Sequence, residues 1–530
     1  MKKERMINSL YFKLLAFQSL LLSQKTTSSI SADGFEKPNF TGLPHLKMSA
    51  FLIAPDKNQT WIHNPGQATI QLILPLLFLL CMLLLLAFYI PSFSTFQLLT
   101  LGGGVVFFIV CMVNTQAALY LLILSMLLSP EFVVGETKGA SLARGVTLRL
   151  DDLLLIIIGF SWLAKMAIHK KLGLFLKTPL NKPIAFYITI CLTSTLFASM
   201  FAEVHLATGL FYVLKYFEYT FVYFMVVNHL QNKQQIKNYV WIILITCALV
   251  SLLGLAQIPS GVRVSAPFEG KMGEPNTFGG YLIFMICLVT GFFLTTPSFK
   301  KQIFFGFLIF FFAVPFLYTQ SRSSYLAAIP ALLSFVLFTK ERRWFFVILI
   351  AIGIMLPYIA PDQAKERVAY TFEQGKNRTD VVETMGVKLD TSTSERLRGW
   401  RDVLKDWVQH PFWGFGVSGY RFVDAQYFRV LVETGLIGLL LFLILLSTVF
   451  LQAYSSFKAA VDPFDRGLSM GFLAGYIALL FHAVGANTFI IVRIMEPFWF
   501  VLAMVVMLPH LPEKPVPAAA VLKAEIAQGV

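Results

Sequence analysis

Charge is scarce in this chain. Only 14% of its 530 residues are Asp, Glu, Lys or Arg, against 57% hydrophobic residues and 52 Phe, and the mean hydropathy is +0.70. A soluble globular domain carries about 25% charged residues, so that class is excluded. Alternation is missing too. The apolar runs are continuous, whereas a membrane β-barrel needs alternating segments of about ten residues. The five cysteines, Cys81, Cys111, Cys191, Cys247 and Cys287, all sit inside apolar runs, which leaves neither a disulfide framework nor a metal cluster and makes them packing residues. No Gly-Lys-Ser/Thr phosphate loop occurs, so transport driven by ATP within this chain is not expected. There is no internal repeat of regular period. The net charge of +14 is scattered over short loops and not gathered on one domain, which argues for membrane topology and against nucleic acid.

What is present is a series of apolar runs. A spanning helix needs about 20 apolar residues, so the pattern predicts an all-α polytopic integral membrane protein of about fourteen helices, in a range of about 12–14. The spans fall near 70–90, 95–113, 115–133, 152–168, 183–203, 208–229, 237–258, 278–296, 302–318, 323–339, 344–360, 429–453, 467–485 and 492–509. The expected organisation is an N-terminal extension over 1–69, eleven helices over 70–360, a large periplasmic loop over 361–428, three helices over 429–510 and a flexible Pro- and Ala-rich tail over 511–530. Met1 to Gln24 has a basic start and an apolar middle without a small-residue cleavage site. It reads as an amphipathic or disordered extension, with Met48 as an alternative start. The run Gly102 to Gly104 lies within a span and reads as a close helix contact.

Basic residues favour the cytoplasmic ends of helices. Loops bearing Lys170, Lys171, Lys177 and Lys182, then Lys233 and Lys237, then Lys300 and Lys301, then Lys340, Arg342 and Arg343 therefore lie inside. The alternate connections face outward, and an even helix count leaves both termini in the cytoplasm. Three polar features then share the outer face.

The first is Arg263, in Gly261 to Gly270, followed by Glu274-Pro-Asn276-Thr-Phe-Gly279 at the mouth of the eighth helix. The arginine fork suits a phosphate, though an interfacial arginine also snorkels to lipid headgroups. The second is Thr319-Gln-Ser-Arg322-Ser-Ser324, where free amides at a helix start join Arg322 in a natural anion site. The third is the polar island Pro361 to Asp424. In it Leu397, Trp400, Val403, Leu404, Trp407 and Val408 recur at helical spacing, predicting an amphipathic helix able to lie on the outer leaflet. His410 and Pro411 end that helix, and Gly414, Gly416 and Gly419 turn the chain back. Trp413 and Tyr420 suit stacking on sugar rings, although interfacial anchoring is the commoner role of such aromatics. Asp424 stands at the next helix entrance. Glu433 falls two to three turns deeper, where a carboxylate is either functional or paired with an arginine on a neighbouring helix.

Together these residues resemble the O-antigen ligase and O-antigen polymerase superfamily of bacterial surface-polysaccharide enzymes. The matching pieces, over roughly 180–510, are Arg263 with Pro275 and Asn276, the Ser321 and Arg322 pair, Arg396-x-x-x-Trp400, His410-Pro411 with Gly414-x-Gly416, and Glu433-Thr-Gly435-x-x-Gly438. The resemblance implies an inner-membrane glycosyltransferase that moves a glycan from an undecaprenyl-diphosphate carrier to an acceptor hydroxyl, with inversion, no metal and no cofactor. It implies that Arg263 and Arg322 bind the carrier diphosphate, with Asn276, Arg396, Trp400, Trp413 and Tyr420 lining the substrate, and that Asp424 takes the acceptor's proton, Glu433 being the second candidate. Arg322 is then also catalytic, because it stabilises the leaving diphosphate. In the ligase branch the position of Asp424 is typically His, so a polymerase of repeat units is favoured over a ligase acting on lipid A core. Expected partners are the lipid-linked donor, the glycan acceptor, the bilayer and other assembly proteins such as a chain-length regulator. A lipid-linked oligosaccharide flippase is the rival from another class, and a scaffold for other polysaccharide enzymes is a third.

Overall fold

The computed structural model describes residues 95–135, 146–168, 176–201, 203–269, 273–339 and 391–513, with isolated positions between 351 and 388. The N-terminal extension, the expected span 70–90, most of 344–360, most of the island before Thr391 and the tail after Glu513 lie outside them. Among the described residues the architecture is helical. The helices are α1 (Thr95–Val113), α2 (Thr115–Leu128), α3 (Leu150–Ile168), α4 (Asn181–Met200), α5 (Leu206–His229), α6 (Lys233–Gln257), α7 (Pro275–Thr295), α8 (Phe299–Tyr318), α9 (Arg322–Phe338), α10 (Thr391–Trp407), α11 (Gln426–Ala459), α12 (Pro463–His482) and α13 (Val492–Met507). Eight, α4 to α8 and α11 to α13, are long and apolar enough to cross a membrane, so this is a multi-pass membrane protein.

Two short antiparallel ladders accompany the helices, β1 (Glu131–Gly135) with β2 (Val146–Arg149) and β3 (Glu383–Thr384) with β4 (Val387–Lys388). The first corrects an expectation. The third span was read to residue 133, yet α2 ends at Leu128 because Ser129 is extended before Pro130, a position where helical geometry clashes with the proline ring.

The centre of the bundle is α7 and α13, each 89% buried across its span, whereas α8 is 28% buried among the described residues. Backbones meet directly between α7 and α12. A Cβ on Gly291 would lie 2.3 Å from the Gly467 carbonyl, and one on Gly471 would lie 2.7 Å from the Leu288 carbonyl. Gly467, Gly471 and Gly475 recur every fourth residue along α12, the small-residue stripe that lets membrane helices approach without bulky side chains between them.

Helix α11 runs 34 residues. That is about 51 Å at 1.5 Å per residue, well over a hydrocarbon core of about 30 Å. Gly435, with φ 67° and ψ −171°, breaks it into a short N-terminal segment and a long span. The short segment begins at Gln426, three residues before the expected start, and carries the apolar face of α10. Trp400 stacks on Phe428 at 5.0 Å, and Val403 is buried with Val423, Ala425 and Val432. The expected amphipathic helix is present, but protein covers much of the face read as lying on lipid. Leu404 and Val408 stay exposed.

Candidate active site

The first two polar features meet. Helix α8 ends at Tyr318, and its last carbonyls have no helical partner. The Val264 amide donates to the Tyr318 carbonyl at 3.0 Å, and Arg263 binds the two carbonyls just past the helix end: its Nε donates to the Thr319 carbonyl and its Nη2 to the Gln320 carbonyl, both at 3.1 Å. A cation at a helix C-terminus also complements the macrodipole. Gln320 turns the chain through a left-handed φ of 50°, and α9 starts two residues later at Arg322. Arg263 is thereby fixed against the very connection that carries Arg322.

Ser321 caps α9, its Oγ accepting from the Ser324 amide at 3.3 Å. The same hydroxyl donates to Asn276 Oδ1 at 2.8 Å, so Asn276 ties the start of α7 to the start of α9. Ser321 and Ser324 are fully buried. A Cβ on Gly279 would lie 2.3 Å from Ser324 Oγ, which explains a glycine where the two helix ends press together.

The two Gly-containing motifs of the third feature lock to each other. Because Gly435 leaves helical geometry, the Val432 and Glu433 carbonyls are released from the α11 ladder. The Phe415 amide donates to the first at 2.9 Å and the Gly416 amide to the second at 2.8 Å. In return the Leu436 amide donates to the Pro411 carbonyl at 2.8 Å. Ser194 of α4 closes the knot, its hydroxyl within reach of the Trp413 carbonyl at 2.6 Å and the Glu433 carbonyl at 2.8 Å. Gly414 and Gly435 both have positive φ, and a Cβ on either would lie within 2.6 Å of opposing backbone.

This knot holds the return strand that leads to Asp424. The Asp424 side chain is 31% exposed, and its Oδ2 accepts from Arg396 Nη2 of α10 at 2.9 Å. Further along α10, Asp402 pairs with Arg421 at 2.6 Å, and Asp406 accepts from the Tyr420 hydroxyl at 2.5 Å. Desolvation, together with donation to that carboxylate, pushes the Tyr420 phenol up to about 12. Trp413 is exposed, near Phe197, and remains available to a ligand. Glu433 is buried, and its Oε1 accepts from Arg429 Nε at 2.9 Å and from the Ser418 amide at 3.0 Å. Its arginine partner lies one turn earlier on the same helix, and the carboxylate braces the Gly-rich turn.

Sequence reasoning passed over a set of buried ionic groups on β1, β2, α3, α5 and α13. Arg493, 2% exposed, donates to the Leu127, Ser129, Pro267 and Phe268 carbonyls at 2.9 to 3.2 Å and to Glu131 Oε1 at 3.1 Å. Lys215 bridges Asp152 at 2.5 Å and Glu218 at 2.9 Å, and Arg149 meets Asp151 at 2.5 Å. The signal was legible: Lys215, Glu218, Arg493 and Glu496 are ionisable residues inside apolar spans. Near Arg493, burial pushes the Glu269 carboxyl up to about 8, against the opposing pull of that guanidinium. Among the described residues, no group of three or more His, Cys, Asp or Glu is placed to hold a metal ion.

Chemically, the arrangement offers an arginine at a capped helix start, a carboxylate held by a second arginine, and an exposed tryptophan. No curated protein matches the chain. Residues 305–443, from within α8 through the Gly435 break of α11, match the family model described as O-antigen ligase, in agreement with a membrane enzyme of the O-antigen ligase and polymerase type.

Proposed function

We propose that the chain is an inner-membrane glycosyltransferase that polymerises undecaprenyl-diphosphate-linked oligosaccharide repeat units on the periplasmic face, in O-antigen or exopolysaccharide synthesis. The observation that carries this reading is the mutual lock of Gly414-x-Gly416 with Glu433-Thr-Gly435, which holds Asp424 and Arg396 at the outer end of α11. The Ser323 hydroxyl donates to the Gly485 carbonyl at 3.2 Å and the Gln426 amide to the Ala483 carbonyl at 3.0 Å, so the α12–α13 connection joins that end to the residue after Arg322. In this proposal about fourteen helices span the membrane, 361–428 is periplasmic, and both termini are cytoplasmic.

The reaction follows from the groups present. The acceptor's hydroxyl oxygen attacks the anomeric carbon from the side opposite the diphosphate, so configuration inverts. The carbon–oxygen bond to the carrier breaks, and its electron pair leaves on undecaprenyl diphosphate. Arg322, with Arg263 beside it, stabilises that charge, and the hydroxyl proton passes to Asp424. The diphosphate is already a leaving group, so neither a nucleotide sugar nor a metal enters the scheme. Arg396 orients the Asp424 carboxylate through Oδ2.

Removal of the gene tests the assignment. A polymerase leaves single undecaprenyl-linked units to accumulate, whereas a ligase, favoured only if Asp424 replaces the ligase-branch His without loss, leaves full-length unattached chains. Elongation of detergent-solubilised units by the purified protein separates both from a flippase, which has no task without a membrane barrier.

A further inference from the structure

Three buried side chains at the outer end of the bundle each keep one hydrogen-bonding atom without a hydrogen-bond partner among the described residues. His482, at the end of α12, has Nδ1 2.8 Å from Thr488 Oγ1 and nothing on Nε2. Asn487 donates from Nδ2 to the Val423 carbonyl at 2.7 Å and has nothing on Oδ1. Gln426 accepts through Oε1 from the Phe489 amide at 3.0 Å and has nothing on Nε2. His482 and Gln426 are fully buried and Asn487 is 6% exposed. Buried polar atoms are nearly always paired, so three leftovers in one place call for a cause.

They do share one place. The α12–α13 connection wraps the start of α11, and a Cβ on Gly280 of α7 would lie 3.0 Å from His482 Cε1, which makes α7 the opposite wall. Asp424 is two residues from Gln426, and its neighbour Val423 carries the carbonyl that Asn487 holds. On the other side, Ser323 is fastened to Gly485 one residue after Arg322.

The three leftovers are an amide donor, an amide acceptor and an imidazole nitrogen. In the tautomer that donates from Nδ1 to Thr488, that nitrogen presents a lone pair. All three groups are uncharged amides or imidazole, a poor match for a diphosphate, which is better held by arginine or lysine. A hydroxyl, which donates and accepts, fits them. We propose that His482, Gln426 and Asn487 form a subsite for sugar hydroxyls that holds the acceptor end of the glycan beside Asp424. This inference rests on the transfer function proposed above.

The probe is the water-soluble oligosaccharide released from accumulated lipid-linked repeat units by hydrolysis of the diphosphate linkage. The bond cleaved is the one from the anomeric carbon to the phosphate oxygen, by mild acid, so the probe lacks phosphate and reports the hydroxyl subsite alone. It is titrated onto the full-length protein in detergent. Wild type and Arg322→Ala are expected to bind it alike. His482→Asn, which keeps an amide where Nδ1 stands and deletes Nε2, and Gln426→Met are each expected to weaken binding by about tenfold, the loss of one buried hydrogen bond. Melting temperature and monodispersity identify a variant that does not fold, and either variant alone then decides. Binding within about threefold of wild type in the folded variant, or no binding by wild type, overturns the subsite. Elongation of lipid-linked units by wild type is measured in parallel. If elongation proceeds and binding ignores the substitutions, the subsite falls and the transfer reading stands. If wild type does not elongate, the transfer reading falls on its own.

Discussion

The Gly416 amide donates to the Glu433 carbonyl at 2.8 Å, a bond that exists only because α11 leaves helical geometry two residues later at Gly435. Two motifs separated in sequence thus form one structural unit, and the carboxylate at Asp424 depends on it for its position.

Gly435→Ala should therefore disrupt the site more than its size suggests. The added Cβ would lie 2.2 Å from the Phe412 carbonyl at a φ of 67°. Left-handed strain alone costs about 1–3 kcal/mol, and the clash adds to it. A thermal melt in detergent should show a clear loss of stability, and an unchanged melting temperature would mean that the knot is not rigid.

Arg396→Ala and Asp424→Asn are expected to separate stability from activity. The pair is partly exposed, 21% and 31% on its two side chains, so each change should shift stability by less than about 1 kcal/mol. Chain elongation should fall at least about a hundredfold in Asp424→Asn if it loses general-base work. A loss of stability without a loss of elongation would make the pair purely architectural.

Arg493→Ala should be strongly destabilising, by about 3–5 kcal/mol, because it strands a partly buried carboxylate and several carbonyls. Arg493→Lys should restore little of it, since one ammonium cannot reproduce a fork that reaches four carbonyls and Glu131. Near-complete recovery in the lysine variant, read by thermal unfolding, would contradict this.

Glu269 gives a pH dependence with a definite sign. Its folded carboxyl titrates near 8, above the ordinary value of 4.5, through burial that Arg493 only partly offsets, with Glu274 and Glu131 adding like charge. Below the ordinary value both states hold the proton and the contribution is intact. As pH rises towards 8 the unfolded chain gives up its proton first, so stability drains across that window. Glu269→Gln keeps an acceptor for the Glu274 amide, now made at 2.8 Å, and should flatten the fall in melting temperature between pH 5 and 8. Equal slopes in both proteins would refute the assignment.

Much of the helical frame was legible because a continuous apolar run has few alternatives. The helix Thr95–Val113 coincides with the span read from composition, and the Ser321 cap was visible as a Ser before an apolar run. The Gly435 break was not. Glu433-Thr-Gly435 falls inside a run read as one continuous span from 429, and the cause of the break, a loop docking on released carbonyls, is a long-range contact that no local pattern records. Arg263 was legible as an arginine in a connection between spans, but not its target, the end of a helix about sixty residues away. Gln426, His482 and Asn487 escaped notice because single neutral polar residues at helix ends usually serve as caps; here Gln426 and Asn487 bind an amide and a carbonyl from distant segments, and His482 binds the Thr488 hydroxyl.

The central claim is that this outer face transfers glycan with Arg322 on the leaving diphosphate. The direct test is the polymer ladder made by cells carrying Arg322→Ala, with membrane levels of the protein confirmed equal to wild type. The account predicts that extension beyond single repeat units is lost. A normal ladder from that variant would contradict it.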